Sequence, residues 1–199
     1  MAQARVFVAL GLGAELGAWA LDEVRAALGG ELTRWRLPRA AGLHLTLAFL
    51  GDVEREALGP LAAALVGHLT GAAAPQLVLR GAGAFPRRGA ERVLWLGADE
   101  PAAEGRLAEL HRRTLAGVEA GLGAAGIELP RELRGGGRPF RPHVTVARPK
   151  RPPGRAPEAF FGLASGRTVA VEEATLFESV RAPSGPPVYE PRATFALDG

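Results

Sequence analysis

Leu43-His44-Leu45-Thr46-Leu47-Ala48-Phe49-Leu50 alternates along most of its length, as a strand with one face in a core does. Side chains two apart on a strand share a face. His44 and Thr46 therefore project together, and Leu43, Leu45, Leu47 and Phe49 are expected on the apolar side. The pattern recurs once. His143-Val144-Thr145-Val146 again sets an imidazole and a hydroxyl on one face and two valines on the other. The second motif lies about half a chain after the first in a sequence of 199 residues, which points to two copies of one unit.

The surrounding segments support that reading. Arg5 to Leu10 has strand character, and Ala14, Gly17, Leu21, Val24 and Leu28 then fall at helical spacing until Gly29-Gly30 stops the run. Leu58, Leu61, Leu65 and Leu69 form a second stripe. Gln76 to Gly81 and Arg92 to Gly97 predict two strands. A long helix is expected over about 102–122, then a glycine- and proline-rich loop over 133–142 leading into the second motif. A short helix near 158–164 and a strand pair, 168–180 with 188–197, complete the chain. The expected fold is α+β: two pseudo-symmetric lobes, each an antiparallel sheet with helices. They are intertwined as one domain over residues 1–199, and one His-x-Thr motif from each lobe faces a central cleft.

Composition narrows the function. Hydrophobic residues make up 47% and charged residues 23%, ordinary proportions for a folded domain. No run approaches the ~18 apolar residues of a membrane helix, and the N-terminus does not read as a signal peptide. With no cysteine there is no disulfide framework and no thiol nucleophile. A cytoplasmic monomer is expected. Residues 131–155 hold eight basic side chains and one acidic one, a net +7 against +3 for the whole chain, so the remainder carries −4. That concentration of charge points to an anionic partner, and its size favours RNA over a small nucleotide. Neither motif offers enough ligands for a usual zinc site. Asp52 and Glu54, just past the first strand, are the nearest carboxylates, and no metal or cofactor is expected.

Two imidazoles facing one phosphate suit metal-free cleavage of a phosphodiester. One takes a proton from water and the other gives a proton to the departing oxygen, while the threonine hydroxyls donate to oxygens that gain charge. His68 and His111 lack such a setting and read as packing residues of helices. Gly11-Leu12-Gly13-Ala14-Glu15-Leu16-Gly17 has a loose dinucleotide-binding look, but its spacing is G-x-G-x-x-x-G. It is better explained as a tight strand-to-helix entry.

The paired motifs resemble those of the 2H phosphoesterases, and most closely the RNA 2′,3′-cyclic phosphodiesterase branch, also called 2′-5′ RNA ligases. RVFVALGL at the start, LHLTLAFLGDV around His44, RVLWLG, RPFRPHVTVAR around His143, and TLFES followed by Val188-Tyr189 extend the resemblance over nearly the whole chain. The resemblance implies that His44 is the proton donor to the leaving 3′ oxygen and that His143 is the base that activates water. It implies a 2′-phosphomonoester as product, with Thr46, Thr145 and Arg148 holding the phosphate, and it brings in 2′-5′ RNA ligation. Strict alternation places Arg148 opposite His143, so Arg148 needs a bulge or twist to reach the cleft. The alternatives are a non-catalytic module that binds RNA ends and a phosphodiesterase for a small cyclic nucleotide. The intact pair of proton-transfer groups weighs against the first of these.

Overall fold

The computed structural model describes residues 2–101, 104–130, 133, 139–164, 166–181 and 187–199. The chain runs through β1 (Gln3–Gly11), α1 (Gly13–Leu28), β2 (Trp35–Arg36), β3 (His44–Glu54), α2 (Leu58–Leu69), β4 (Gln76–Phe85) and β5 (Val93–Asp99). It continues through α3 (Arg106–Ala124), β6 (His143–Pro149), α4 (Glu158–Phe161), β7 (Arg167–Ala170), β8 (Glu173–Val180) and β9 (Val188–Ala196).

The strands form one antiparallel, nine-stranded sheet in the order β7-β4-β5-β6-β3-β1-β8-β9, with β2 added beside β6. The order is symmetric about its middle. β3 and β6 meet there at the pair Leu45 and Val144. Outward from that seam, β1 answers β5, β8 answers β4 and β9 answers β7. Each lobe takes elements from both halves of the sequence. β4 follows α2 yet pairs with β5, and β8 follows α4 yet pairs with β1. The helices also cross over: α1 packs on β6 and α4, while α3 packs on β3 and α2.

Burial accounts for the helices. Leu16, Ala20, Leu21, Val24 and Leu28 form the inner stripe of α1, and Leu107, Leu110, Val118 and Leu122 form that of α3. At about 25 cal/mol per Å² of apolar surface removed from water, such stripes hold the helices on the sheet. Gly117 and Gly121 let α3 approach α2 closely, because a Cβ on Gly121 would stand 2.7 Å from Leu61 Cα. No described helix is long and apolar enough to cross a membrane.

The structure departs from the sequence reading in three places. The strand expected over 168–180 is two strands: β7 pairs with β4, and after Val171-Glu172 the chain passes to the other lobe, where β8 pairs with β1. Phe49 is not on the apolar face. It is 46% exposed, and Leu47 and Ala48 are both buried. Thr46 pairs with Ala9 and Ala48 with Val8, so Leu47 is an extra residue that reverses the alternation beyond it. Third, α3 begins at Arg106. Half of the loop expected over 133–142, residues 134–138, lies outside the described residues.

Candidate active site

β3 and β6 lie side by side and antiparallel at Leu45 and Val144. One step along the strands in either direction sets His44 beside Thr145 and Thr46 beside His143. Both threonines and both histidines are half-buried, between fully buried Leu45 and Val144 on the opposite face. The structure thus brings together the four motif residues that the sequence placed in separate halves.

The imidazoles are held in the same way. His44 Nδ1 lies 2.8 Å from the carbonyl oxygen of Gly42, and His143 Nδ1 lies 2.7 Å from that of Arg141. A carbonyl only accepts, so Nδ1 carries the hydrogen and donates it in both rings. Nε2 is left as the atom that gains or loses a proton. His44 packs against Phe7 with ring centres 4.8 Å apart and meets Tyr189 edge-on at 5.0 Å. His143 meets Phe85 edge-on at 5.1 Å. Burial lowers the His44 pKa below the ordinary 6.5; the Gly42 carbonyl opposes this, and the charges of His143 and Arg148 add to the lowering.

Arg148 reaches the cleft because of a second bulge. Thr145 pairs with Trp95 and Ala147 with Leu94, which leaves Val146 as an extra residue. Val146 and Ala147 are both buried, and Arg148 returns to the face of His143 and Thr145. Its charge is felt by His44 and by Tyr189, whose hydroxyl is otherwise pushed up by burial.

Residues 14–181 match the family model of the 2′-5′ RNA ligase superfamily. This chain is a 2H phosphoesterase of that superfamily. It is 40% identical over 185 residues to an RNA 2′,3′-cyclic phosphodiesterase of Thermus thermophilus, covering 89% of this chain and 86% of that protein. A crystal structure of a Thermus thermophilus protein superposes with a TM-score of 0.76 at 35% identity, over 97% of both chains. Escherichia coli LigT complexed with 3′-AMP superposes with a TM-score of 0.73 at 28% identity, over 100% of both chains.

Three features of this 2H phosphoesterase were not legible as site features in its sequence. His111, on α3, points its Nδ1 at the carbonyl oxygen of Leu47, 2.8 Å away, and stacks on Phe140 with ring centres 3.9 Å apart. It therefore takes up the carbonyl of the bulged residue that follows Thr46. The Arg141 guanidinium lies over the Trp95 ring, 5.0 Å from its centre. The Arg5 guanidinium lies over Phe49, 4.9 Å from the ring centre. His68 packs beside Gly117 as a helix-packing residue. Of the basic segment, Arg141, Arg148, Lys150, Arg151 and Arg155 are exposed, whereas Arg131, Arg134 and Arg138 lie outside the described residues. Asp52 is paired with Arg5. Among the described residues, no three His, Asp or Glu side chains are grouped to hold a metal ion.

Proposed function

We propose that this 2H phosphoesterase hydrolyses the 2′,3′-cyclic phosphate at RNA ends to a 2′-phosphomonoester, without a metal or organic cofactor. The observation that carries the proposal is the matched pair of imidazoles across the β3–β6 seam. Each is fixed through Nδ1 to a carbonyl two residues earlier, which leaves Nε2 for proton transfer. Neutral His143 takes a proton from water at Nε2, and the water oxygen bonds to phosphorus. The bond from phosphorus to O3′ breaks, and protonated His44 delivers its Nε2 proton to that oxygen. Thr46, Thr145 and Arg148 face the non-bridging oxygens and offset the charge that develops there. With an RNA 5′-hydroxyl in place of water, the same two transfers make a 2′-5′ linkage.

The test is a short RNA ending in 2′,3′-cyclic phosphate, incubated with chelator, with the product isomer identified. The expected product is the 2′-phosphate. A 3′-phosphate product, or no turnover until metal is added, overturns the proposal. His44→Ala and His143→Ala are each expected to lower turnover by about 10²–10⁴-fold, the usual worth of a placed acid or base. Near-normal turnover in either folded variant removes that histidine from the mechanism.

A further inference from the structure

Helix α3 holds a histidine that the reaction steps above do not use. The buried stripe of the helix includes Leu107, Leu110, Thr114, Val118 and Leu122. His111 follows Leu110, so it stands about 100° round the helix, at the edge of that stripe. It is half-buried there and meets both halves of the site. Nδ1 lies 2.8 Å from the Leu47 carbonyl oxygen on β3. The ring stacks on Phe140 with centres 3.9 Å apart and 8° between the planes.

The first contact acts beside Thr46. Leu47, the next residue, is the extra residue of the β3 bulge. An extra residue has no place in the ladder, so its backbone groups need partners from elsewhere. A carbonyl only accepts, so His111 donates to it through Nδ1. Burial holds the His111 pKa below the ordinary 6.5 against the pull of that carbonyl. At neutral pH the ring is therefore uncharged, and this N–H is its only one.

The second contact acts on His143. Phe140 precedes Arg141, whose carbonyl accepts from His143 Nδ1 at 2.7 Å. The corresponding lead-in to His44 supports itself. It is the turn Ala40–Gly42, in which the Gly42 N–H donates to the Arg39 carbonyl at 2.9 Å and the Leu43 N–H to that of Ala40 at 3.2 Å. Residues 139–142 belong to no helix, strand or turn, and Phe140 leans on His111. The duplication does not supply this contact twice. Helix α1 covers β6 as α3 covers β3, and it contains no histidine.

We propose that His111 is a positioning residue for the hydrolysis described above, on which its role rests. Its Nδ1–H fixes the bulge beside Thr46, and its ring fixes the lead-in whose carbonyl orients His143. One side chain of α3 thus holds a phosphate-binding residue of the first motif in place relative to the base of the second.

Two variants separate the contacts. His111→Asn keeps an N–H close to the place of Nδ1 and loses the ring, whereas His111→Phe keeps the ring and loses the donor. Phe140→Leu removes the stack from the other side and leaves His111 intact. Each variant, shown folded by circular dichroism, is measured for kcat and KM on a mononucleoside 2′,3′-cyclic phosphate. The Kd of inorganic phosphate and the exchange of the His143 Nδ1 proton, by NMR, are measured alongside. His111→Asn and Phe140→Leu are expected to lower kcat by up to about 10²-fold, the worth of an ångström's misplacement. In both, the His143 proton exchanges faster and the phosphate Kd is unchanged. His111→Phe is expected to raise KM and the phosphate Kd by about 2- to 13-fold, the worth of one hydrogen bond, with the His143 proton as in wild type. If the variants lose stability but keep wild-type kcat, KM and His143 exchange, His111 only packs the helix and the proposal is wrong. It is also wrong if His111→Asn and His111→Phe change kcat and KM alike. A wild type that does not cleave the substrate removes the hydrolysis, while the His143 proton and the phosphate Kd still decide whether His111 holds the site.

Discussion

His44 is assigned the role of an acid in surroundings that favour its neutral form. Burial is the largest cause, and the charges of His143 and Arg148 push in the same direction. A bound phosphodiester brings a negative charge that opposes those repulsions, so the imidazolium is restored when substrate enters. The free enzyme is therefore expected to show a His44 midpoint below 6.5 by NMR, moving up when inorganic phosphate is added and also in Arg148→Gln. In kinetics, the alkaline fall of kcat/KM, which reports the free enzyme, is expected at lower pH than that of kcat. The two apparent values belong to the histidine pair. A His44 midpoint at or above 6.5 that ignores phosphate contradicts this account. The motif residues themselves were legible in sequence, because a period of two fixes which side chains share a face. Arg148 was legible only by resemblance, since the bulge at Val146 is written in pairing with β5 and not in local alternation. The same limit misplaced Phe49.

Helix α1 shows how an element supports the site from outside it. Gly17 was read as part of a loose glycine pattern, and its use is spatial. A Cβ there would stand 2.1 Å from the carbonyl oxygen of Ala40, in the 3₁₀ turn Ala40–Gly42. That turn ends in the carbonyl that accepts from His44. In an open helix, glycine to alanine gains about 1 kcal/mol from backbone propensity. Here the clash reverses the sign, because the turn must move or the helix must lift, at about 1–3 kcal/mol for overpacking. Gly17→Ala is expected to lower the denaturation midpoint and to reduce kcat through a displaced His44. A variant of higher stability and normal kcat shows that the turn does not depend on this contact. No sequence pattern flags such a glycine, since the atom it avoids is 23 residues away in the chain. The helices themselves were readable from apolar spacing. The division of 168–180 was not, because β7 and β8 share strand composition and differ only in which lobe accepts them.

Across the whole molecule, duplication has produced exchange between the halves. β4 and β8 each pair in the lobe opposite to the motif strand they follow, and α1 and α3 each cover the other half's motif strand. Two His-x-Thr segments at half-chain spacing revealed the duplication. They could not reveal the exchange, since local periodicity carries no partner information. The exchange has a thermodynamic consequence. Neither half of the sequence owns a complete lobe, so loss of one lobe withdraws elements that the other needs. We expect one cooperative transition over residues 1–199. The tryptophans make this measurable. Trp19 on α1, Trp35 on β2 and Trp95 on β5 all belong to the lobe built on β6. Their fluorescence reports that lobe, while far-UV circular dichroism reports both. The two signals are expected to follow one urea transition with the same midpoint and slope. A fluorescence change completed before the dichroism change begins means that the lobes unfold separately, and that the crossed strands do not couple them.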